Sequence, residues 1–136
     1  MGALAINTAN VARSGLGQTF IGTAGATITA GQPLYFDSTN VQYKPANCVG
    51  ASPQYIVAGI AGASANVGQD IVVVSRDPNF SPGYTINSGN ISILGNVAGQ
   101  VNDVADRVTT WFVTVLGVGI GGNRVNFQLA GANVAM

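Results

Sequence analysis

A seven-residue segment occurs twice in this chain, and its recurrence constrains the fold more than any other feature. Residues 25–31, Gly-Ala-Thr-Ile-Thr-Ala-Gly, return 58 positions later as residues 83–89, Gly-Tyr-Thr-Ile-Asn-Ser-Gly. The same offset pairs further positions without a gap: Gln42 with Gln100, Val57 with Val115, Gly59 with Gly117, and Val67 with Val125. We therefore predict two copies of one unit, over about residues 23–75 and 81–130, each burying its apolar face against the other.

Each copy has the pattern of strands and turns. Short β-branched or aromatic runs such as residues 34–36, 55–61 and 70–74 are bounded by Gly, Pro, Asn and Asp, which is typical of strands joined by tight turns. Glycine recurs too often for a long helix to persist, and only Val101 to Arg107 could form a single helical turn. The fold class predicted is all-β, a small sandwich or barrel built from two duplicated β units.

The first 22 residues differ from the rest of the chain. They precede the first repeat, contain one charge at Arg13, and place their apolar residues in neither a helical nor a strand period. We predict an extended N-terminal arm over residues 1–22 and a single β domain over residues 23–136. Such an arm is either disordered or lies on another subunit.

Charged residues are scarce. They make up 7% of the 136 residues, against about 25% in ordinary soluble domains. A surface of small neutral side chains carries little of the charge that keeps proteins apart, so we expect much of it to be covered by partner chains. A monomer with a surface of Asn, Thr, Ser and Gln is the alternative.

The net charge, the cysteine content and the apolar segments of the sequence indicate which partners and which cellular compartment to expect. The net charge is zero and the four arginines are scattered along the sequence, so we expect no nucleic-acid partner. The single cysteine, Cys48, is predicted to be a small buried thiol in a reducing compartment. We expect no export signal, because the N-terminus lacks a Lys/Arg cluster followed by a continuous apolar run. We expect no membrane span either, because the most apolar window, Val108 to Gly122, has 15 residues and a spanning helix needs about 20.

The short motifs that are typical of enzymes lack the neighbouring structure or partner residues that their chemistry requires. Residues 117–122 satisfy G-x-G-x-x-G, but an alternating strand comes after them where a nucleotide-binding helix should begin, which favours a glycine hairpin. The chain has no histidine for a triad and one cysteine for zinc. We predict no catalytic, metal or cofactor site.

Four short polar or aromatic groups have ordinary structural interpretations. Asp103 and Asp106 resemble an acid–base pair, but the adjacent Arg107 favours a local charge cluster. Asp37 is predicted to be a turn residue, and residues 76–78, Arg-Asp-Pro, a turn as well. The aromatic residues that could stack on sugars are expected in the core instead: Trp111, Tyr35, Tyr43, Tyr55 and Phe127.

The order of these segments resembles a known family. Residues 25–37, Gly-Ala-Thr-Ile-Thr-Ala-Gly-Gln-Pro-Leu-Tyr-Phe-Asp, are followed by Tyr-Lys-Pro-Ala at 43–46, Val-Ala-Gly-Ile-Ala at 57–61, and Val-Thr-Val-Leu-Gly-Val at 113–118. Over about residues 23–134 this order is similar to the small head decoration, or cement, proteins of tailed phages. The second hairpin departs from that pattern, because Ile-Ser-Ile-Leu at 91–94 stands where the family has a strand that contains tyrosine.

The resemblance implies a function and partners. It implies a structural virion protein, made in the host cytoplasm, that binds the outer surface of an assembled capsid as a homotrimer and locks neighbouring major capsid protein subunits together. We expect the N-terminal arm to reach the capsid or a neighbouring protomer through five residues: Leu4, Ile6, Arg13, Leu16 and Phe20. The alternatives are a carbohydrate-binding β module of a virion fibre and, ranked lower, a shell-forming coat protein.

Overall fold

The protein is all-β, as the sequence predicts. A computed structural model describes residues 4–49, 54–107 and 112–135, with side chains for all of these except 112–113 and 128–135. About half of the chain is in strands, which form a curled antiparallel sheet with the shape of a half-barrel. The described residues contain no α-helix, only two 3-10 turns at Thr8–Asn10 and Val104–Asp106.

The described residues contain ten strands. Their bounds are β1 Val11–Ala12, β2 Gln18–Thr23, β3 Pro33–Asp37, β4 Gln42–Pro45, β5 Val57–Ala61, β6 Asp70–Pro82, β7 Ile91–Leu94, β8 Val101–Asp103, β9 Phe112–Gly121 and β10 Arg124–Ala135. The main path through the sheet runs β4-β3-β5-β6-β10-β9-β7-β8, and β1 and β2 add to β6. The predicted helical turn within residues 101–107 is confirmed as the second 3-10 turn.

The two halves of the sheet have the same strand order. The path β4-β3-β5-β6 in the first half is repeated in reverse as β8-β7-β9-β10 in the second. The halves meet where β6 pairs with β10, with Arg76 opposite Gln128. The two hairpins, the strand after each, and the long strand after that therefore occupy corresponding places in the strand order of the two halves.

The strand register keeps the 58-residue offset of the sequence. Tyr35 pairs with Val57 in the first half and Ile93 with Val115 in the second, and both ladders shift register one residue earlier, at Leu34 and Ser92. The hairpins agree as well, since Tyr35↔Lys44 corresponds to Ile93↔Asn102. This is the register that a duplication predicts; the duplication itself stays a prediction.

The 58-residue offset pairs Val67 with Val125, but these two residues are not structurally equivalent, so this part of the prediction is wrong. Ala61 pairs with Val73, 12 residues on, whereas the equivalent Gly119 pairs with Val125, 6 residues on, so the β5–β6 loop is 12 − 6 = 6 residues longer. Val67 lies in that loop and is 62% exposed, while Val125 is buried. The structural counterpart of Val125 is therefore Val73, and the constant offset ends at β5.

The predicted turn at residues 76–78 is also wrong. β6 runs through it without ending, from Asp70 to Pro82. The local irregularity is a bulge in the pairing with β10, because Asp77 opposes Phe127 whereas Phe80 opposes Val125. Pro78 has no N–H for the ladder, and a bulge is one of the few places where a sheet accepts proline. The Arg-Asp-Pro sequence thus bends a strand instead of reversing the chain.

The core is shared between the two halves. Its largest cluster combines Ile60 and Val74 of the first half with Leu116, Val125 and Phe127 of the second. A smaller cluster likewise joins first-half residues, among them Tyr35 and Cys48, to Ile93 and Leu94. Burying each large apolar side chain contributes roughly 1.5–3 kcal/mol. The halves stabilise each other, because each supplies part of the other's apolar surroundings.

The N-terminal segment lies along the sheet of its own chain. β1 pairs with the end of β6, and all six residues of β2 pair with its first half. Further back, the Leu4 N–H donates to Val101 O at 2.7 Å and the Asn7 N–H donates to Gly83 O at 2.8 Å. Residues 4–22 are therefore packed on the β domain, and β2 ends one residue past the predicted boundary. The contact of this segment with a partner stays a prediction.

Candidate functional site

The five N-terminal residues predicted to make contacts divide into two groups. Leu4 and Ile6 are half-buried and pack against the largest core cluster. Arg13 is exposed, Leu16 is 73% exposed and Phe20 is 37% exposed. The first two residues attach the segment to its own domain, and the other three are available on the surface.

Phe20 belongs to a group of three rings at the surface, two exposed and one half-buried, here called the aromatic patch: Phe20, Phe36 and Tyr43. The centroids of Phe20 and Tyr43 are 5.5 Å apart, and those of Phe36 and Tyr43 are 5.0 Å apart. The rings are tilted by 55° and 50°, in the range that aromatic pairs favour. Three strands, β2, β3 and β4, thus each place one ring on the same surface.

The strand pattern explains why these rings meet. Phe36 and Tyr43 are directly opposite across the β3–β4 hairpin, and Phe20 is opposite Val73 of the core on β6. Gly22 permits the closest approach, because a Cβ at this position would lie 2.4 Å from the Tyr43 ring. The patch continues the cluster of Leu34, Ile71 and Val73 out to the surface.

Tyr43 sits at the boundary between that cluster and solvent. It is half-buried, and burial raises the pKa of its hydroxyl, so it stays protonated at neutral pH. Phe36 is 37% exposed, like Phe20, and Val41 in the turn of the same hairpin is 66% exposed. This end of the half-barrel presents an uncharged apolar surface to solvent.

The hairpin that carries Phe36 and Tyr43 is held by Asp37, which confirms the predicted turn residue. Its carboxylate accepts hydrogen bonds from Thr39 N, from Asn40, and from Lys44 Nζ at 2.8 Å. The hydrogen bonds from Lys44 and then Asn40 lower the pKa of Asp37 to about 2. The ion pair stabilises the turn beside the patch and leaves the patch itself without charge.

A second carboxylate fixes the N-terminal segment. Asp77 is 1% exposed and accepts hydrogen bonds from Ser14 N at 2.8 Å, from Ser14 Oγ, and from Asn79 N at 3.0 Å. Burial raises the pKa of this carboxyl, but the hydrogen bonds from Ser14 and Asn79 together with the charge of Arg124 outweigh it, so the pKa is lowered overall. The ionised Asp77 side chain therefore attaches the loop before β2 to the middle of β6.

The motifs considered for enzyme chemistry have structural roles in the described residues. The glycine-rich motif at 117–122 is the β9–β10 hairpin, with positive φ at Gly121, Gly122 and Asn123, as predicted. Asp103 caps the 3-10 turn by accepting from Ala105 N at 2.9 Å. Within the described residues no group of His, Cys, Asp and Glu could hold a metal ion.

Cys48 is buried, as predicted, and burial raises the pKa of its thiol to about 11. A thiol of this kind is a poor nucleophile at neutral pH, because the reactive thiolate is scarcely populated. Tyr84 is likewise buried; burial raises its pKa to about 12, and its hydroxyl donates to Ser92 Oγ at 2.9 Å.

Two of the four described aromatic residues considered for sugar stacking are buried. Tyr35 and Phe127 are buried, as predicted, whereas Tyr43 and Tyr55 are half-buried; Trp111 lies outside the described residues. The exposed ring at Phe36 was not predicted from the sequence. Its signal was present, because Phe36 alternates with the buried Leu34 along β3 and therefore shares the core face of that strand.

No helix in the described part of the chain is long and apolar enough to cross a membrane. Comparisons of the chain with protein-family models, with curated proteins and with solved structures found no match.

Proposed function

We propose that this chain is a structural virion protein that decorates the outer surface of an assembled phage capsid as an oligomer and cements neighbouring capsid subunits. The observation that carries the proposal is the aromatic patch on a chain in which 7% of the residues are charged. Exposed aromatic rings are enriched where proteins bind other proteins, and a surface with few charges is desolvated at low cost. The family resemblance of the sequence points to the same function.

The energy available from the patch is sufficient for such contacts. Phe20 and Phe36 each expose 37% of their area, which is about 75 Å² of a ring that presents roughly 200 Å². Covering 75 Å² contributes about 2 kcal/mol at roughly 25 cal/mol per Å². Two rings therefore contribute about 4 kcal/mol per protomer, and a symmetric oligomer multiplies the effect through effective concentration.

The test is co-sedimentation with purified heads of the phage that encodes the chain. The variant Phe20→Ser/Phe36→Ser should lower head affinity by more than about a hundredfold, since roughly 1.4 kcal/mol corresponds to tenfold. The matched control is Val67→Ser/Val97→Ser, which changes two residues that are 62% and 52% exposed in other loops. Thermal unfolding of both variants establishes that they are folded.

The outcomes separate the proposal from its alternatives. Retention of the wild type on heads, with loss only in the aromatic variant, supports it; sedimentation equilibrium should then show a small oligomer, and we expect a trimer. A chain that stays monomeric and is not retained on heads contradicts it. Binding to a glycan array instead of heads would favour the carbohydrate-binding alternative, and spontaneous assembly into shells would favour a coat protein.

A further inference from the structure

Three of the four arginines, which are scattered in the sequence, lie around one point of β6 in the structure. Arg13 and Arg76 line a surface cleft of about 580 Å³ together with Asp77. Arg124 is close enough to Asp77 to lower its pKa, and its Nη1 donates to Asn79 O at 3.3 Å. The folded chain, neutral as a whole, therefore carries a local excess of positive charge, three arginines against one aspartate.

Asp77 forms no salt bridge with the two arginines of the cleft lining, Arg13 and Arg76. Its carboxylate is 1% exposed, and it already accepts from Ser14 N, Ser14 Oγ and Asn79 N. Among the described residues, no carboxylate forms a salt bridge with Arg13 or Arg76, and the ion pair that is present joins Asp37 to Lys44. Arg13 and Arg76 are both exposed residues of the cleft lining, and within the described part of the chain neither guanidinium group is paired with a carboxylate.

Glycines form the walls of the cleft where the backbone comes closest. Gly17 lies directly on β6, since a Cβ there would be 1.9 Å from Arg76 O. A Cβ at Gly62 would lie 3.4 Å from Arg13 Cδ, so the Arg13 side chain runs over this glycine. Gly15 and Thr19 complete the part of the lining that faces the arginines. The cleft is therefore open between two cationic side chains, with little side-chain bulk to fill it.

We propose that this cleft binds the carboxylate side chains of an acidic peptide segment from a partner protein. The planar guanidinium group has donors spaced to hold a carboxylate by two parallel hydrogen bonds, and two such groups fit a pair of neighbouring acidic residues. A nucleic acid fits less well, because its binding depends on neutralising a row of phosphates along the backbone and the cleft lining offers two arginines. This proposal does not depend on the proposed capsid function, because it is argued from the residues of the cleft alone and is tested without capsids.

The experiment is an NMR titration of the ¹⁵N-labelled full chain at low ionic strength. The probe is a hexapeptide of alternating Asp and Glu, acetylated and amidated so that only side chains carry charge; the Asn/Gln peptide of the same length is the control ligand. We expect the acidic peptide to shift the Nε–Hε signals of Arg13 and Arg76 and the amides of residues 14–17, with Kd of roughly 0.1–1 mM that weakens as salt screens the charges. The Asn/Gln peptide should shift none of them.

Variants test which arginines are responsible. Arg13→Gln and Arg76→Gln should each weaken binding about tenfold or more, while Arg76→Lys, which keeps the charge and loses the two-pronged geometry, should fall between wild type and Arg76→Gln. The matched control is Arg107→Gln, because Arg107 is exposed and donates to Val104 O beside the second 3-10 turn instead. Unchanged amide spectra away from the cleft establish that each variant is folded.

Inorganic phosphate and a single-stranded DNA 12-mer are titrated in parallel. Tighter binding of either one than of the peptide would overturn the assignment of the ligand as an acidic peptide. Equal loss in Arg107→Gln and Arg76→Gln would overturn the assignment of the site, and the absence of shifts with the acidic peptide would overturn both. Head binding that survives Arg76→Gln leaves the capsid proposal standing, so the two proposals fail separately.

Discussion

Replacing Asp77 tests the mechanism that attaches the N-terminal segment to the sheet. In Asp77→Ala, the Ser14 N–H, the Ser14 hydroxyl and the Asn79 N–H all lose their acceptor. A hydrogen bond to a charged group contributes about 1.5–3 kcal/mol, and part of that is recovered because water reaches Ser14, which is only half-buried. We expect a loss of about 3 kcal/mol in the free energy of unfolding, a large share of the roughly 5–15 kcal/mol that stabilises a domain.

Two milder variants separate the contribution of the Asp77 charge from that of the Ser14 hydroxyl. Asp77→Asn keeps an acceptor oxygen in place and removes the charge, so we expect a loss of about 1.5–2 kcal/mol. Ser14→Ala removes one of the three donors and leaves the carboxylate, which should lose about 1.5 kcal/mol. Urea unfolding measures these differences, and hydrogen exchange at the Ser14 amide shows the local effect, because Asp77 is the acceptor that protects this amide.

The pH dependence gives an independent check. The pKa of Asp77 is lower in the folded state than the unfolded value of about 3.9, so its contribution to stability is complete above that value and is lost as pH falls through the folded pKa. The stability difference between wild type and Asp77→Asn should therefore shrink below about pH 4. A difference that stays constant from about pH 7 to about pH 2.5 would refute the role of the ionised carboxylate.

Three further predictions concern the core and its close contacts. Phe127→Ala removes a fully buried ring and should lower the free energy of unfolding by about 3–5 kcal/mol in urea unfolding, whereas Val67→Ala, at a residue that is 62% exposed, should change it by less than about 0.5 kcal/mol. Gly59→Ala should lower the melting temperature more than Gly117→Ala. The added Cβ would lie 2.5 Å from atoms of Val73 and Val74 at position 59, and 3.1 Å from its nearest neighbour at position 117. Equal losses of stability in the two variants would contradict this prediction. Cys48 should not react with a thiol reagent at about pH 8 until urea unfolds the chain, and fast labelling of the native protein would contradict its burial.

The strand pattern could be predicted because its causes are local. Runs such as residues 34–36 and 91–94 are short, mostly apolar and bounded by turn residues, and both lie in strands. The 58-residue offset also carried the register, because equivalent hairpins with equivalent turns pair equivalent residues. The offset gave the wrong equivalence at Val67, because the β5–β6 loop is longer than its counterpart and no local sequence pattern indicates the extra residues.

The surface features depend on contacts between distant parts of the chain. Ser14 and Asp77 are 63 residues apart, and nothing in Arg-Asp-Pro at 76–78 indicates that its carboxylate accepts from the N-terminal segment. The gathering of Arg13, Arg76 and Arg124 is equally non-local, because it depends on where the β1–β2 loop, β6 and β10 meet. The aromatic patch could be predicted only in part. The alternation along β3 places Phe36 on the core face, but it does not tell how far along the strand the core extends.

The length of β6 has a consequence for how the molecule comes apart. Its 13 residues pair with β5 and β2 near the start and with β10 and β1 near the end, so this one strand is hydrogen-bonded to strands of both halves. Cutting the chain after Pro82 would leave the second half without its neighbour for β10, and cutting before Asp70 would do the same to β5. Neither half can therefore melt while the other stays intact, and a calorimeter should record one cooperative transition where two separable modules would give two.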